Sequence, residues 1–203
     1  MSYLTPGEAE ALIAAPDRAR WVGRRDHALL ALAIQTGLRV SELTALTRAD
    51  VHLGPGPHVR CTGKGRKERC TPLTTQVARV LRAWLDERGG GPAGPLFPTS
   101  RGQPLSRDAV ELLVARHAKT AQASCPALRG KTITPHVLRH TAAMSLLHAG
   151  TDITVIALWL GHYAGDLCQV DHVVVRYRWA AAAGERLSSW PISAQVWPWS
   201  RAA

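Results

Sequence analysis

Two basic residues, His136 and Arg139, follow Thr134-Pro135, a pair typical of a helix start. At this spacing on a helix the two side chains share a face, and His140 lies close to the same face. An arginine offers a forked donor, a histidine offers a donor or a proton carrier, and a helix N-terminus favours an anion. The pattern indicates a phosphate-binding group, and a solvated helix face is the alternative reading.

A third candidate, Arg39, lies in the sequence TGLRVSEL at residues 36–43. Gly37 is predicted to end one helix, and Arg39 occupies the tight junction before the next. A side chain held in such a junction can point into a cleft, where Glu42 could brace Arg39 or a nearby histidine. A helix-corner arginine in a surface salt bridge is the alternative.

A basic segment, TGKGRKER at residues 62–69, is predicted to form the tip of a β-hairpin. Lys64, flanked by glycines, could donate a proton to a leaving group in a neighbouring cleft. The segment is not a phosphate-cradling Walker loop, because it lies between strands and its spacing differs. Arg66, Lys67 and Arg69 are predicted to contact a DNA backbone whether or not Lys64 is catalytic.

The scaffold predicted around these residues is α+β and mainly helical. Helices are predicted at 8–15, 26–35, 39–46, 75–88, 107–121, 135–149, 152–160 and 173–188. Extended segments at 51–53, 58–62 and 68–73 predict a small antiparallel three-stranded sheet, with its hairpin, in the first half.

The composition favours a polyanionic partner such as DNA. Lys and Arg number 25 against 15 Asp and Glu, a formal charge of +10, and arginine dominates the basic set. The four cysteines form no close Cys-x-x-Cys pair, so we expect no zinc site. Cys61 and Cys70 are symmetric about the hairpin and are candidates to face each other across it, as reduced thiols. With no signal peptide and no membrane-length apolar run, we expect a cytoplasmic, nucleoid-associated protein.

Four motifs occur in one order along residues 5–162: TGLRVSEL, GKGRKER with a following PL, TPHVLRHTAA, and LGH. Together they resemble the catalytic domain of tyrosine recombinases, the phage-integrase family that includes Xer-type enzymes. The resemblance implies an integrase-like fold and DNA strand exchange through a 3′-phosphotyrosine link, carried out by four protomers on two duplexes. It implies no metal and no cofactor, because cationic side chains neutralise the phosphate, and Glu42 resembles the acidic residue that supports the site.

The same resemblance implies roles for individual side chains. Arg39 and Arg139 resemble the arginines that clamp the scissile phosphate, and Lys64 resembles the lysine that protonates the departing 5′-oxygen. His136 and His162 resemble the two histidine positions that contact the phosphate or transfer a proton.

The nucleophilic tyrosine is where the sequence departs from the family pattern. The place that usually holds it, a short segment after LGH, is Asp171 here. Tyr163 directly follows His162 and is too close to belong to a separate helix. Tyr177 precedes a helical stretch at 180–186, and we predict that it is the nucleophile.

The predicted domain organisation is a catalytic domain at 1–188 and an atypical tail at 189–203, whose tryptophans could dock on a neighbouring protomer. The N-terminal core-binding domain of integrases is not expected in this chain. Two alternatives stay open: a C-terminally altered DNA-binding remnant without activity, and a type IB topoisomerase that rejoins the same strand.

Overall fold

The computed structural model describes residues 3–63 and 68–161 and confirms the predicted α+β class. The helices are α1 (Pro6–Ala14), α2 (Trp21–Thr36), α3 (Val40–Ala45), α4 (Thr75–Arg88), α5 (Arg107–Ala121), α6 (Pro135–His148) and α7 (Ile153–Leu160). The strands are β1 (Val51–His52), β2 (His58–Thr62) and β3 (Glu68–Pro72), which pair antiparallel in the order β1-β2-β3.

Helix α2 forms the centre of the core. Every side chain from Ala28 to Thr36 is buried, and α1, α4 and α6 pack around it. The helix begins earlier than predicted because Trp21 packs against Trp84 of α4, with ring centroids 5.2 Å apart. Such a contact between distant residues leaves no local signal in the sequence.

Within residues 3–63 and 68–161, no helix is both long and apolar enough to cross a bilayer.

Local signals set several helix ends. Helix α1 begins with a capping box, in which the Thr5 amide donates to Glu8 Oε2 at 2.8 Å and the Glu8 amide donates to Thr5 Oγ1 at 3.4 Å. Gly37 ends α2 in the left-handed conformation, with φ of 64°. A Cβ on Gly37 would lie 2.7 Å from Leu160 Cδ2 and 2.9 Å from Ala142 Cβ. Glycine therefore allows the end of α2 to approach α6 and α7 closely.

The hairpin register corrects the prediction for Cys61 and Cys70. Cys61 pairs with Arg69, and Cys70 pairs with Arg60. The pairing is offset by one residue from the symmetric one, and because side chains alternate along a strand the two thiols lie on opposite faces. Cys61 faces the core, where burial raises the pKa of its thiol to about 12.

Candidate functional site

The candidate site lies where the C-termini of α2 and α7 meet. Both helices end at a left-handed glycine, Gly37 with φ of 64° and Gly161 with φ of 70°. The last turn of a helix leaves backbone carbonyls without intrahelical partners and carries partial negative charge. Arginine side chains from α6, β3 and the start of α3 donate to the carbonyls at this junction.

Arg139 connects the two helix ends. Its side chain projects from α6 and is buried, with Nη1 donating to the Gly37 carbonyl and Nη2 to the Leu160 carbonyl, each at 2.6 Å. Burial and, to a smaller extent, the nearby charge of Arg39 together lower the pKa of Arg139 to about 10. The guanidinium therefore remains protonated at neutral pH and places a fixed cation at the junction.

Arg39 is the more exposed cation of the pair. It precedes α3, and its amide donates to Glu42 Oε2 at 2.8 Å while Nη1 donates to Oε1 at 3.1 Å. Its Nη2 donates to the Gly161 carbonyl at 3.3 Å. The side chain is 36% exposed, so it can meet an anion that arrives from solvent.

Glu42 supports this arrangement, as predicted for bracing Arg39. Its side chain is 4% exposed and accepts two hydrogen bonds from Arg69, Nη1 to Oε1 at 2.8 Å and Nη2 to Oε2 at 2.7 Å. Burial alone would raise the pKa of Glu42, but the hydrogen bonds and charge of Arg69, together with the hydrogen bonds of Arg39, outweigh burial, so the pKa is lowered. Glu42 is therefore an ionised carboxylate beneath Arg39.

The position of Arg69 corrects the prediction that this residue contacts the DNA backbone. The side chain is 3% exposed and faces the interior, where Nε also donates to the Trp159 carbonyl at 3.2 Å. Strand alternation explains this orientation, because Arg69 shares the inward face of the hairpin with Thr71 and Cys61. Period-two alternation running back from the buried Leu73 could have predicted it.

Trp159 is a site residue that sequence reasoning missed. Its indole is buried, and Nε1 donates to the Thr36 carbonyl at 2.9 Å, which ties α7 to the last turn of α2. The residue belongs to none of the motifs identified in the sequence, and its role depends on a contact with a backbone atom.

The two histidines of α6 that were predicted to belong to the site lie at different depths. His136 is exposed near the start of the helix, one turn before Arg139, where Thr134 caps the helix by accepting from the Val137 amide at 3.4 Å. His140 is half-buried, and its ring contacts the edge of Tyr3 with centroids 6.1 Å apart. The structure thus brings Arg39, Glu42 and Arg139 into one cluster and leaves His136 at the surface of the same helix.

The remaining predicted residues lie outside the described part of the chain: Lys64, Arg66, Lys67, His162, Tyr163, Tyr177 and the segments 173–188 and 189–203. Among residues 3–63 and 68–161, no group of three or more His, Cys, Asp or Glu side chains could hold a metal ion.

The described cluster is suited to an anion. Three guanidinium groups, those of Arg39, Arg69 and Arg139, lie around the carboxylate of Glu42, so these four described groups together carry a net positive charge. Because hydrogen bonds to backbone carbonyls hold these groups, little reorganisation is needed when negative charge develops beside them. A phosphate in transfer, whose non-bridging oxygens gain charge, matches this arrangement.

Comparison with known proteins gives a family for the sequence. The sequence model of the phage integrase family matches residues 2–170. The chain is 52% identical over 170 residues to the putative integrase/recombinase y4rC of Sinorhizobium fredii, covering 84% of this chain and 51% of that protein. It is 41% identical over 161 residues to tyrosine recombinase XerC of Pelobacter propionicus, covering 79% and 51%. The chain spans about half the length of these relatives.

Solved structures agree with this comparison. The crystal structure of XerA recombinase superposes with a TM-score of 0.69 at 28% identity, covering 88% of this chain and 65% of that one. XerH recombinase bound to palindromic difH substrate, in a post-cleavage complex, superposes with a TM-score of 0.67 at 25% identity, covering 90% and 52%.

Proposed function

This chain belongs to the phage integrase family, that of the tyrosine recombinases, and from that membership we propose that it is a site-specific DNA recombinase. It cleaves and rejoins DNA strands through a 3′-phosphotyrosine intermediate. The observation that carries the proposal is the convergence of Arg39 and Arg139, far apart in sequence, on the junction of α2 and α7.

In the proposed reaction, Arg39 and Arg139 hold the non-bridging oxygens of the scissile phosphate. The Tyr177 oxygen attacks phosphorus and its hydroxyl proton passes to His136. The bond from phosphorus to the 5′-oxygen breaks, and Lys64 gives that oxygen a proton. His136 and His162 bond the phosphate or move a proton. In preorganised sites, loss of one such donor costs about 3–4 kcal/mol of transition-state stabilisation.

The proposed partner is double-stranded DNA, bound by four protomers across two duplexes in the cytoplasm, at the nucleoid. The formal charge of +10 supports attraction to DNA, and the XerH structure is itself a complex with a DNA substrate. Arg66, Lys67 and His140 are the proposed backbone contacts. Since the energy of such contacts comes largely from released counterions, affinity should fall steeply with salt.

Covalent trapping tests the proposal. The protein is incubated with a library of nicked duplexes whose sequence is randomised. After cleavage near the nick, the short fragment between the cut and the nick diffuses away, so the strand cannot be rejoined and the adduct persists. Adducts are separated under denaturing conditions, and the attached DNA is sequenced. Wild-type protein should give an adduct, and Tyr177→Phe should give none.

Tyr163→Phe is the matched control and should keep the adduct. An adduct that persists in Tyr177→Phe and disappears in Tyr163→Phe moves the nucleophile to Tyr163. No adduct with wild-type protein on any sequence favours the DNA-binding remnant. Relaxation of supercoiled plasmid without strand exchange favours the topoisomerase.

A further inference from the structure

Arg69 has a position that the proposed chemistry does not yet use. We propose that Arg69 is a positioning residue: it neutralises Glu42, so that the charge of Arg39 is left for the DNA phosphate. The inference rests on the proposed function of the site, and it assigns to Arg69 an effect that passes through Glu42 and Arg39 without contact with DNA.

The hydrogen bonds around Glu42 are unequal in a way that supports this role. The two terminal nitrogens of Arg69 donate to both carboxylate oxygens of Glu42, at 2.7 and 2.8 Å, whereas the side chain of Arg39 donates to only one of them, at 3.1 Å. Bidentate pairs of this kind are the strong form of the arginine–carboxylate contact. Arg69 is therefore the main partner of the carboxylate, and Arg39 keeps donors for a second anion.

Burial makes a counter-charge for Glu42 necessary. At 4% exposure the carboxylate has almost no water to stabilise its charge, so it must be balanced by neighbouring cations. If Arg69 is replaced by a neutral side chain, the described partner that remains for the side-chain oxygens of Glu42 is Arg39. The carboxylate then draws Arg39 inward and cancels its charge.

Arg69 also fixes the surroundings of Arg39. Its Nε donates to the Trp159 carbonyl, and a Cβ added at Gly161 would lie 2.8 Å from its Nη1 and 3.5 Å from Nη1 of Arg39. The guanidinium is thus packed against the same turn whose carbonyl accepts from Arg39. One side chain of β3 holds the carboxylate of α3 and the end of α7 in a fixed relation.

Counting charges gives a signature that a purely structural role does not share. Arg69→Met lowers the net charge of the described cluster by one, and the addition of Glu42→Gln raises it by one, back to the wild-type value. If Arg69 acts by neutralising Glu42, the second substitution rescues anion binding that the first removes. If Arg69 only supports the fold, the double variant binds no better than the single one.

The experiment is an NMR titration with inorganic sulfate, followed at the side-chain Nε–H signals of Arg39 and Arg139. Sulfate is a tetrahedral dianion and needs no knowledge of the DNA target. We expect affinity in Arg69→Met to fall about tenfold, in line with loss of a charge-assisted interaction, and to recover most of that loss in the double variant. Circular dichroism and urea unfolding establish that each variant is folded.

Arg24→Met is the control for loss of an arginine ion pair. Arg24 pairs with Glu87 at the surface, 13 residues before Gly37 and so roughly 20 Å from it along α2. Its sulfate affinity should equal that of wild-type protein. Arg69→Gln serves if Arg69→Met does not fold: it is also neutral, so its sulfate affinity should show the same loss of about tenfold.

Two results overturn the inference. One is unchanged sulfate affinity in folded Arg69→Met or, in its place, Arg69→Gln. The other is no recovery of affinity in the double variant. A DNA arm separates this failure from failure of the recombinase proposal. Absence of a covalent adduct with wild-type protein refutes the recombinase, while the sulfate series still decides whether Arg69 acts through Glu42. An adduct in wild type with unchanged cleavage in Arg69→Met refutes the inference alone.

Discussion

Two carboxylates are buried near opposite ends of α2, in similar company, and only one belongs to the candidate site. Asp26, near the start of the helix, is fully buried and contacts Arg25 through Oδ1 at 2.7 Å. Its Oδ2 lies 2.8 Å from both Arg116 Nη2 and His117 Nε2. Glu42, beyond the end of the helix, is likewise buried between arginines.

The two clusters differ in the exposure and the further contacts of their arginines. Arg25 donates to the Pro98 carbonyl at 2.9 Å and is buried, so its charge is not accessible to an anion from solvent. Arg116 is exposed on α5, whereas the other two basic residues of that cluster, Arg25 and His117, are buried. Arg39 is exposed beside Arg139, close enough to lower its pKa. A buried carboxylate with several cations is therefore not in itself a site. The candidate site is distinguished by a partly exposed cation, Arg39, that lies beside a second cation, Arg139, at the helix ends.

The largest effect expected is from Asp26→Ala, which leaves Arg25 buried without its carboxylate. We expect a loss of about 3–5 kcal/mol of unfolding free energy, the usual cost of removing one partner of a buried ion pair. Urea unfolding measures it. Sulfate affinity of the folded variant should be unchanged, and a large decrease would mean that the two clusters are not separate in function.

Gly37→Ala tests how tightly the site end of α2 is packed. The new Cβ would combine a left-handed φ with contacts to Leu160 and Ala142 under 3 Å, so we expect about 2–3 kcal/mol of destabilisation. Gly150→Ala is the matched control, since Gly150 has φ of 79° with nothing within 4 Å of the added atom, and should cost about 1 kcal/mol. Equal losses by thermal or urea unfolding would contradict the close approach.

Acid should weaken both clusters. Burial would raise the pKa of Asp26, but hydrogen bonds from His117 and Arg25 outweigh it and lower the pKa, as for Glu42. Because the folded pKa values lie below the unfolded ones, near 4, this stabilisation is complete above about pH 5 and is lost as the pH falls through the folded values. As the pH falls from 6 to 3, the unfolding free energy should fall less steeply in Asp26→Ala and in Glu42→Gln than in wild-type protein. If the pH dependence of either variant equals that of wild type, the replaced carboxylate is not a source of the acid-sensitive stability.

Arg116→Met should have the smallest effect. Its side chain is 60% exposed, and Asp26 keeps Arg25 and His117 as partners, so we expect less than about 1 kcal/mol of lost stability. Urea unfolding is again the measurement. A loss as large as that of Asp26→Ala would place the stabilisation of the Asp26 cluster at its surface instead of its interior.

Where the fold depends on local chemistry, the sequence predicts it closely. Helix α4 has the predicted bounds Thr75–Arg88, and α2 ends at the predicted Gly37, because caps, glycine conformation and apolar spacing act over a few residues. The early start of α2 at Trp21 and the hairpin register at Cys61 escape prediction. Both depend on which distant residues pack together.

The site divides in the same way. Motif order was enough to select Arg39 and Arg139 as cationic residues of one site. Their partners could not be predicted, because many are backbone carbonyls, such as those of Gly37 and Leu160, which have no residue identity to recognise. The pairing of Arg69 with Glu42 joins a strand to a helix start, and only the inward face of β3 hints at it.

The two carbonyl contacts of Arg139 affect how its evolutionary persistence should be read. A side chain that joins two helix ends at once contributes to folding whether or not the proposed strand cleavage takes place. Survival of this arginine in a lineage, or its depletion in a mutational library scored for abundance, is then no measure of recombination. Arg39 is held nearer the surface by weaker contacts, so it should accumulate substitutions first in lineages that lose the proposed activity. Its substitution rate is therefore the better indicator of whether that activity is retained.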